Sequence, residues 1–238
     1  MSNAFAGEFF GTMILILLGN GVVAGVVLNR TKAHAAGWMV VTSAWAFAVM
    51  AGLFTAKAIG SPGYINPVGP LVNAMNGKLS VPDALELVLA QLLGAFAGAA
   101  LVWLHYLPHW AETPDADSKR AAFCTSPAIR SPGANLLSEA IGTFVLVFVG
   151  SAITEKLAGA GMTVPLGAAL VWGIGLSLGA TTGYAINPAR DLGPRLAHAV
   201  LPIAGKGHSD WGYAWVPVVA PCLGAIAAAL LAKQVMTA

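Results

Sequence analysis

Thr182-Gly183-Tyr184-Ala185-Ile186-Asn187-Pro188-Ala189-Arg190-Asp191 leads into an apolar piece, 188–199. A related stretch lies upstream, where Gly63-Tyr64-Ile65-Asn66-Pro67-Val68 opens the apolar piece 67–76. Neither piece is long enough to cross a bilayer, which takes about 20 helical residues. Proline fits the first turn of a helix, where its missing N–H costs nothing. Asparagine is a favoured cap just before such a turn. A single Asn-Pro marks ordinary turns. Two copies at matched places are a stronger signal, and both read as half-helices that enter a membrane without crossing it.

The rest of the chain agrees. Its 238 residues are 57% hydrophobic and only 9% charged, with a formal charge of +2. Soluble domains are about 25% charged. That composition excludes a disordered chain, a nucleic-acid binder and most soluble enzymes. Cys124 and Cys222 make neither a CxxC motif nor metal-ligand spacing, so no metal, cofactor or disulfide framework is expected. Six apolar stretches of spanning length run over 9–29, 37–56, 84–107, 135–153, 163–183 and 212–232. The first lacks a basic leader, starts beside Glu8 and runs too long for a cleavable signal peptide. Between the third and fourth, 108–134 gathers Glu112, Asp115, Asp117, Lys119, Arg120 and Arg130 among prolines. It reads as a solvated connection without chemistry. Charge leaves the orientation open. Lys57, Lys78, Lys156 and Lys233 fall on one side and Arg30, Lys32, Lys119, Arg120, Arg130 and Lys206 on the other, half of the latter from that one loop.

The chain repeats itself. Glu8, Gly11, Thr12 and Gly19 recur as Glu139, Gly142, Thr143 and Gly150, each at an offset of 131 residues. Leu93-Gly94-Ala95 recurs as Leu223-Gly224-Ala225. Each half reads span, span, Asn-Pro half-helix, span, with halves at about 4–107 and 135–235 of a single channel domain. An odd number of spans per half forces the second copy to enter from the opposite face, so the repeats are inverted. The expected fold is an all-α membrane protein with six transmembrane helices and two half-helices whose N-termini meet near the midplane. Irregular backbone at that depth must line a wet path. The loop N–H groups need acceptors there, which Glu8 and Glu139 can supply.

Two positive helix ends meeting in the middle oppose cations. They also reverse the orientation of water and so break a proton wire. The Asn66 and Asn187 amides can donate to a solute oxygen. Arg190, within the first turn of the second half-helix, suits an aqueous lumen, where its charge repels cations and its five donors hold hydroxyls. The alternative for Arg190 is an ion pair with Asp191 or Glu139.

These residues resemble the major intrinsic protein family, the aquaporins and glycerol facilitators. The likeness covers nearly the whole chain, from Glu8–Gly19 and Asn66-Pro67-Val68 to Glu139–Gly150 and Asn187-Pro188-Ala189-Arg190-Asp191. Asp191 after the arginine resembles the glycerol-facilitator branch. The resemblance implies a filter of Trp45, Gly175, Tyr184 and Arg190, with Gly175 leaving one wall open. It implies a central constriction at Asn66, Pro67, Val68, Asn187, Pro188 and Ala189, pore-lining backbone at Gly63, Tyr64, Gly183 and Ala185, and support from Glu8, Glu139 and Asp191. It also implies a homotetramer in a bacterial plasma membrane, each subunit with its own pore.

The chain departs from the family pattern at Val68 for alanine, Tyr64 for a frequent histidine and Tyr184 for the phenylalanine of typical glycerol facilitators. The Tyr184 hydroxyl can donate to the solute or to a carbonyl. The expected function is a passive channel for small uncharged polar solutes such as glycerol and water that excludes ions and protons, with dihydroxyacetone a further candidate. The alternative solute is an undissociated hydroxy acid such as lactic acid. An ion-coupled transporter shares inverted repeats and broken helices but needs a free intramembrane carboxylate. A membrane enzyme would have to use His105 and His109, which lack a third ligand partner and suit an interfacial role.

Overall fold

The computed structural model of the protein describes residues 2–154 and 161–236; Lys156 lies outside them. Among the described residues, six helices are long and apolar enough to cross a membrane. They are α1 (Asn3–Val27), α2 (Trp38–Ile59), α4 (Val81–His105), α7 (Pro132–Ala152), α8 (Thr163–Leu178, continued by a 3₁₀ turn, Gly179–Thr181) and α10 (Val216–Val235). The half-helices are α3 (Val68–Met75) and α9 (Pro188–Val200), and two short helices, α5 (His109–Glu112) and α6 (Ala116–Ala121), follow α4. Side-chain caps set several starts. Ser2 accepts from the Phe5 N–H, Ser80 from that of Asp83, and Asn187 from those of Ala189 and Arg190.

The inverted repeat is visible in the packing. α1 lies against α2 and α4, and α7 against α8 and α10. α1 and α4 approach through Gly94, where an added Cβ would lie 2.2 Å from the Phe9 carbonyl oxygen. Its repeat mate Gly224 would meet the Ala140 oxygen at the same 2.2 Å. Such backbone contact tolerates no side chain and is how membrane helices pack without a hydrophobic drive. Each half-helix also crosses to the other half, with α3 against α10 and α9 against α4.

The stretch 108–134 is not a mere solvated connection. Trp110, Phe123, Cys124, Lys119 and Arg120 are buried, and Lys119 donates to the Ala204 carbonyl. Asn20 of α1 reaches the Phe123 carbonyl at 2.8 Å. Charges and prolines mark an irregular backbone, but long basic side chains bury their stems while their heads find partners, the Ala204 carbonyl for Lys119 and the Asp117 carboxylate for Arg120. The segment folds over the face of the molecule that carries Arg190.

Candidate pore and selectivity filter

The two irregular segments before the half-helices are held from behind. The Glu8 carboxylate accepts from the N–H groups of Tyr64 at 2.8 Å and Ile65 at 2.7 Å. It also accepts from Ser61 Oγ at 2.5 Å and Gln91 Nε2 at 2.8 Å. Glu139 does the same for Ala185 at 2.9 Å and Ile186 at 2.8 Å. Ile65 and Ile186 have φ of 43° and 41°, a region that β-branched residues rarely occupy. Such strain persists only where the surroundings impose it, and a buried carboxylate on each strained N–H supplies that constraint.

The strain aims the two halves at each other. Asn66 Nδ2 donates to the Ile186 carbonyl at 2.9 Å, and Asn187 Nδ2 to the Ile65 carbonyl at 2.8 Å. The amide oxygens face the helix starts, Asn66 Oδ1 accepting from Val68 N at 3.1 Å and Asn187 Oδ1 from Ala189 N and Arg190 N at 3.0 and 3.1 Å. These partners settle which end of each amide is which. One N–H of each amide is committed to the opposite half, which leaves each amide one further N–H. Both asparagines line a cavity of about 220 Å³ together with Tyr64, Val68, Trp45, Tyr184 and Arg190.

A second cavity, of about 310 Å³, lies beyond and shares Trp45, Tyr184 and Arg190 with the first. These three side chains mark the junction. The Arg190 guanidinium carbon lies 4.3 Å from the Trp45 ring centroid, within cation–π range. Arg190 is the only charged residue lining either cavity among the described residues. Asp191 pairs instead with the fully buried Arg195 (Nε–Oδ1 2.8 Å) and accepts from Thr125 N and Oγ1 at 2.8 and 2.7 Å. Arg195 also donates to the carbonyls of Ser209, Asp210 and Thr125 at 2.7, 3.0 and 3.0 Å. Glu139 is occupied by the loop, so the ion-pair alternative for Arg190 loses both its partners to other groups.

Two expectations are corrected. Gly175 does not leave an open wall. A Cβ there would lie 2.9 Å from Tyr184 Cζ and 3.1 Å from Thr42 Cγ2, so the tyrosine ring already fills the space that a small residue suggests. The Tyr184 hydroxyl is buried and reaches no carbonyl. Its ring packs edge-on to Trp38, 5.7 Å between centroids, and Trp38 Nε1 donates to the Gly175 carbonyl at 3.0 Å.

Thr125 and Arg195 were not singled out by sequence. Arg195 carried a signal, since Asp191 and Arg195 stand four apart on one helix. Thr125 carried none, being 66 residues from its partner. Cys124, beside it, also lines the second cavity. Burial pushes its thiol up to about 12, with Asp191 adding to the shift, so it stands as a neutral wall.

The major intrinsic protein family model matches residues 1–232. The chain belongs to this family. It is 51% identical over 229 residues to the probable glycerol uptake facilitator protein of Thermotoga maritima, covering 96% of this chain and 97% of that one. It is 49% identical over 231 residues to the glycerol uptake facilitator protein of Streptococcus pneumoniae (strain TIGR4), covering 97% and 98%. The aquaglyceroporin from Plasmodium falciparum superposes with a TM-score of 0.86 at 28% identity, over 98% of this chain and 96% of that one. This member of the family is a multi-pass membrane protein.

Proposed function

We propose that the protein is a passive channel through which glycerol and water cross a bacterial plasma membrane while ions and protons are refused. The observation that carries this is the junction at Trp45, Tyr184 and Arg190, where two aromatic rings and one guanidinium separate two cavities that are otherwise uncharged among the described residues. A polyol can lay its carbon edge on the rings and its hydroxyls on Arg190, replacing on one side the hydration it loses. The same fixed charge repels cations. Farther in, the free N–H groups of Asn66 and Asn187 and the two converging helix ends turn the water chain around. The names of the relatives support glycerol as the solute. Glu8 and Glu139 are spent on loop N–H groups, which leaves neither for coupling to an ion gradient.

Stopped-flow light scattering on proteoliposomes tests this with water, glycerol, dihydroxyacetone, urea and lactic acid at several pH values. Glycerol flux that is fast and unchanged by ionophores is expected. Flux that collapses with the ion gradient overturns a passive channel. Lactic acid flux that rises as pH falls and exceeds glycerol flux would make the undissociated acid the main solute. Four copies, each with its own conduit, are the assembly expected; the native mass in detergent checks it.

A further inference from the structure

The rings that line the conduit do not rest on ordinary side chains. An added Cβ at Gly19 of α1 would lie 2.4 Å from Trp45 Cζ3 and 2.5 Å from both Cε3 and Cη2. At Gly179 it would lie 2.6 Å from Tyr184 Cδ1 and 3.0 Å from Trp38 Cζ2. The same arrangement recurs beside the first cavity, where Gly69 would meet Tyr64 Cδ1 at 2.7 Å. Gly175 of α8 also meets the Tyr184 ring, at 2.9 Å from Cζ, but not every glycine near the conduit does so. Gly21, two residues along from Gly19, Gly150, its repeat mate, and Gly173 on α8 meet nothing within 4 Å. Close seating of a ring is therefore neither a general property of the glycines here nor a by-product of the repeat.

We propose that Gly19 and Gly179 are specificity-determining positioning residues that set the bore of the outer slot from behind, by seating Trp45 and Tyr184. Neither lines either cavity. Carbon atoms settle about 3.5–4.0 Å apart, so a methyl group at either position displaces the ring by about 1 Å. Trp45 has the backbone of α1 behind its outer edge and both cavities before it. The free volume it can enter is the conduit. A slot narrowed in this way discriminates against a polyol before it discriminates against water. The inference rests on the slot being the selective step of the channel proposed above.

The test is Gly19→Ala, with Gly21→Ala and Gly173→Ala as controls in open space, in the same proteoliposome assay. Gly19→Ala is expected to lower glycerol flux about tenfold, a barrier rise of about 1.4 kcal/mol. Water flux should fall less than about threefold on the same scale, and the controls should match the wild type. Trp45→Phe lacks the far ring that meets residue 19, so adding Gly19→Ala to it should change little. Wild-type glycerol flux in a fully inserted Gly19→Ala protein overturns the inference, as does an equal loss in Gly21→Ala. Should Gly19→Ala not reach the membrane, the Trp45→Phe background decides. Equal fluxes with and without the alanine support the seating role, and a loss in the double variant overturns it. A wild-type protein that passes water but no glycerol fails the solute reading alone. The bore inference is then read on water flux, which Gly19→Ala must lower.

Discussion

Arg190→Ala removes the only charged side chain lining the two cavities among the described residues. The guanidinium carbon packs on the Trp45 ring, 4.3 Å from its centroid, and lines both cavities, so a cation passing from one to the other meets the charge at close to contact, about 4 Å. At an effective dielectric of about 20, two unit charges at that separation repel by about 4 kcal/mol. That corresponds to about a thousandfold in permeation rate. The half-helix ends remain, each worth about half a positive charge, and retain part of the barrier. The expected result is sodium conductance raised by one to three orders of magnitude, with water flux kept or increased through the wider slot. The assay is valinomycin-clamped proteoliposomes for the ion and light scattering for the solutes. Arg190→Lys, which keeps the charge but not the planar fork, should stay ion-tight while its glycerol flux falls. An Arg190→Ala protein that passes glycerol with no added ion leak refutes the reasoning. It would place ion exclusion at the asparagine pair alone.

Gly175→Val should lower glycerol flux by at least about tenfold while water flux falls less, because the new Cβ drives the Tyr184 ring into the slot; equal loss of both fluxes counts against it. Glu139→Gln should destabilise the protein by about 1–3 kcal/mol, since the new amide can accept from only one of the Ala185 and Ile186 N–H groups; an unchanged melting temperature in detergent would contradict this. Thr125→Val should also cost about 1–3 kcal/mol by leaving Asp191 Oδ2 one donor short. Thr125→Ser should restore it, and glycerol flux should track the same order if the loop holds the Arg190 helix in place.

The spans and half-helices were legible because each is a local fact. The apolar stretches 37–56 and 84–107 become Trp38–Ile59 and Val81–His105, and the short piece 67–76 becomes Val68–Met75. Glu8 and Glu139 were legible as partners of the loop N–H groups because irregular backbone in lipid has no water to bond. Thr125 was not legible, since nothing in Cys124-Thr125-Ser126 says that Asp191 lies above it. Gly175 misled for a related reason. A small residue announces room for a close approach, but not which group fills it.

What this sequence determined by itself is the inverted six-span frame, the two Asn-Pro half-helices and the placing of one arginine at the start of the second. Helix length is set by bilayer thickness, and helix starts by residues one to three positions away, so both are written within a few turns of chain. Only the tertiary structure decided the bore: Trp45 against Gly19, Tyr184 against Gly175 and Gly179, and the stretch around Thr125 closing over the arginine helix. Those contacts join residues far apart in the chain. Whether a gap stays open depends on which distant side chain fills it.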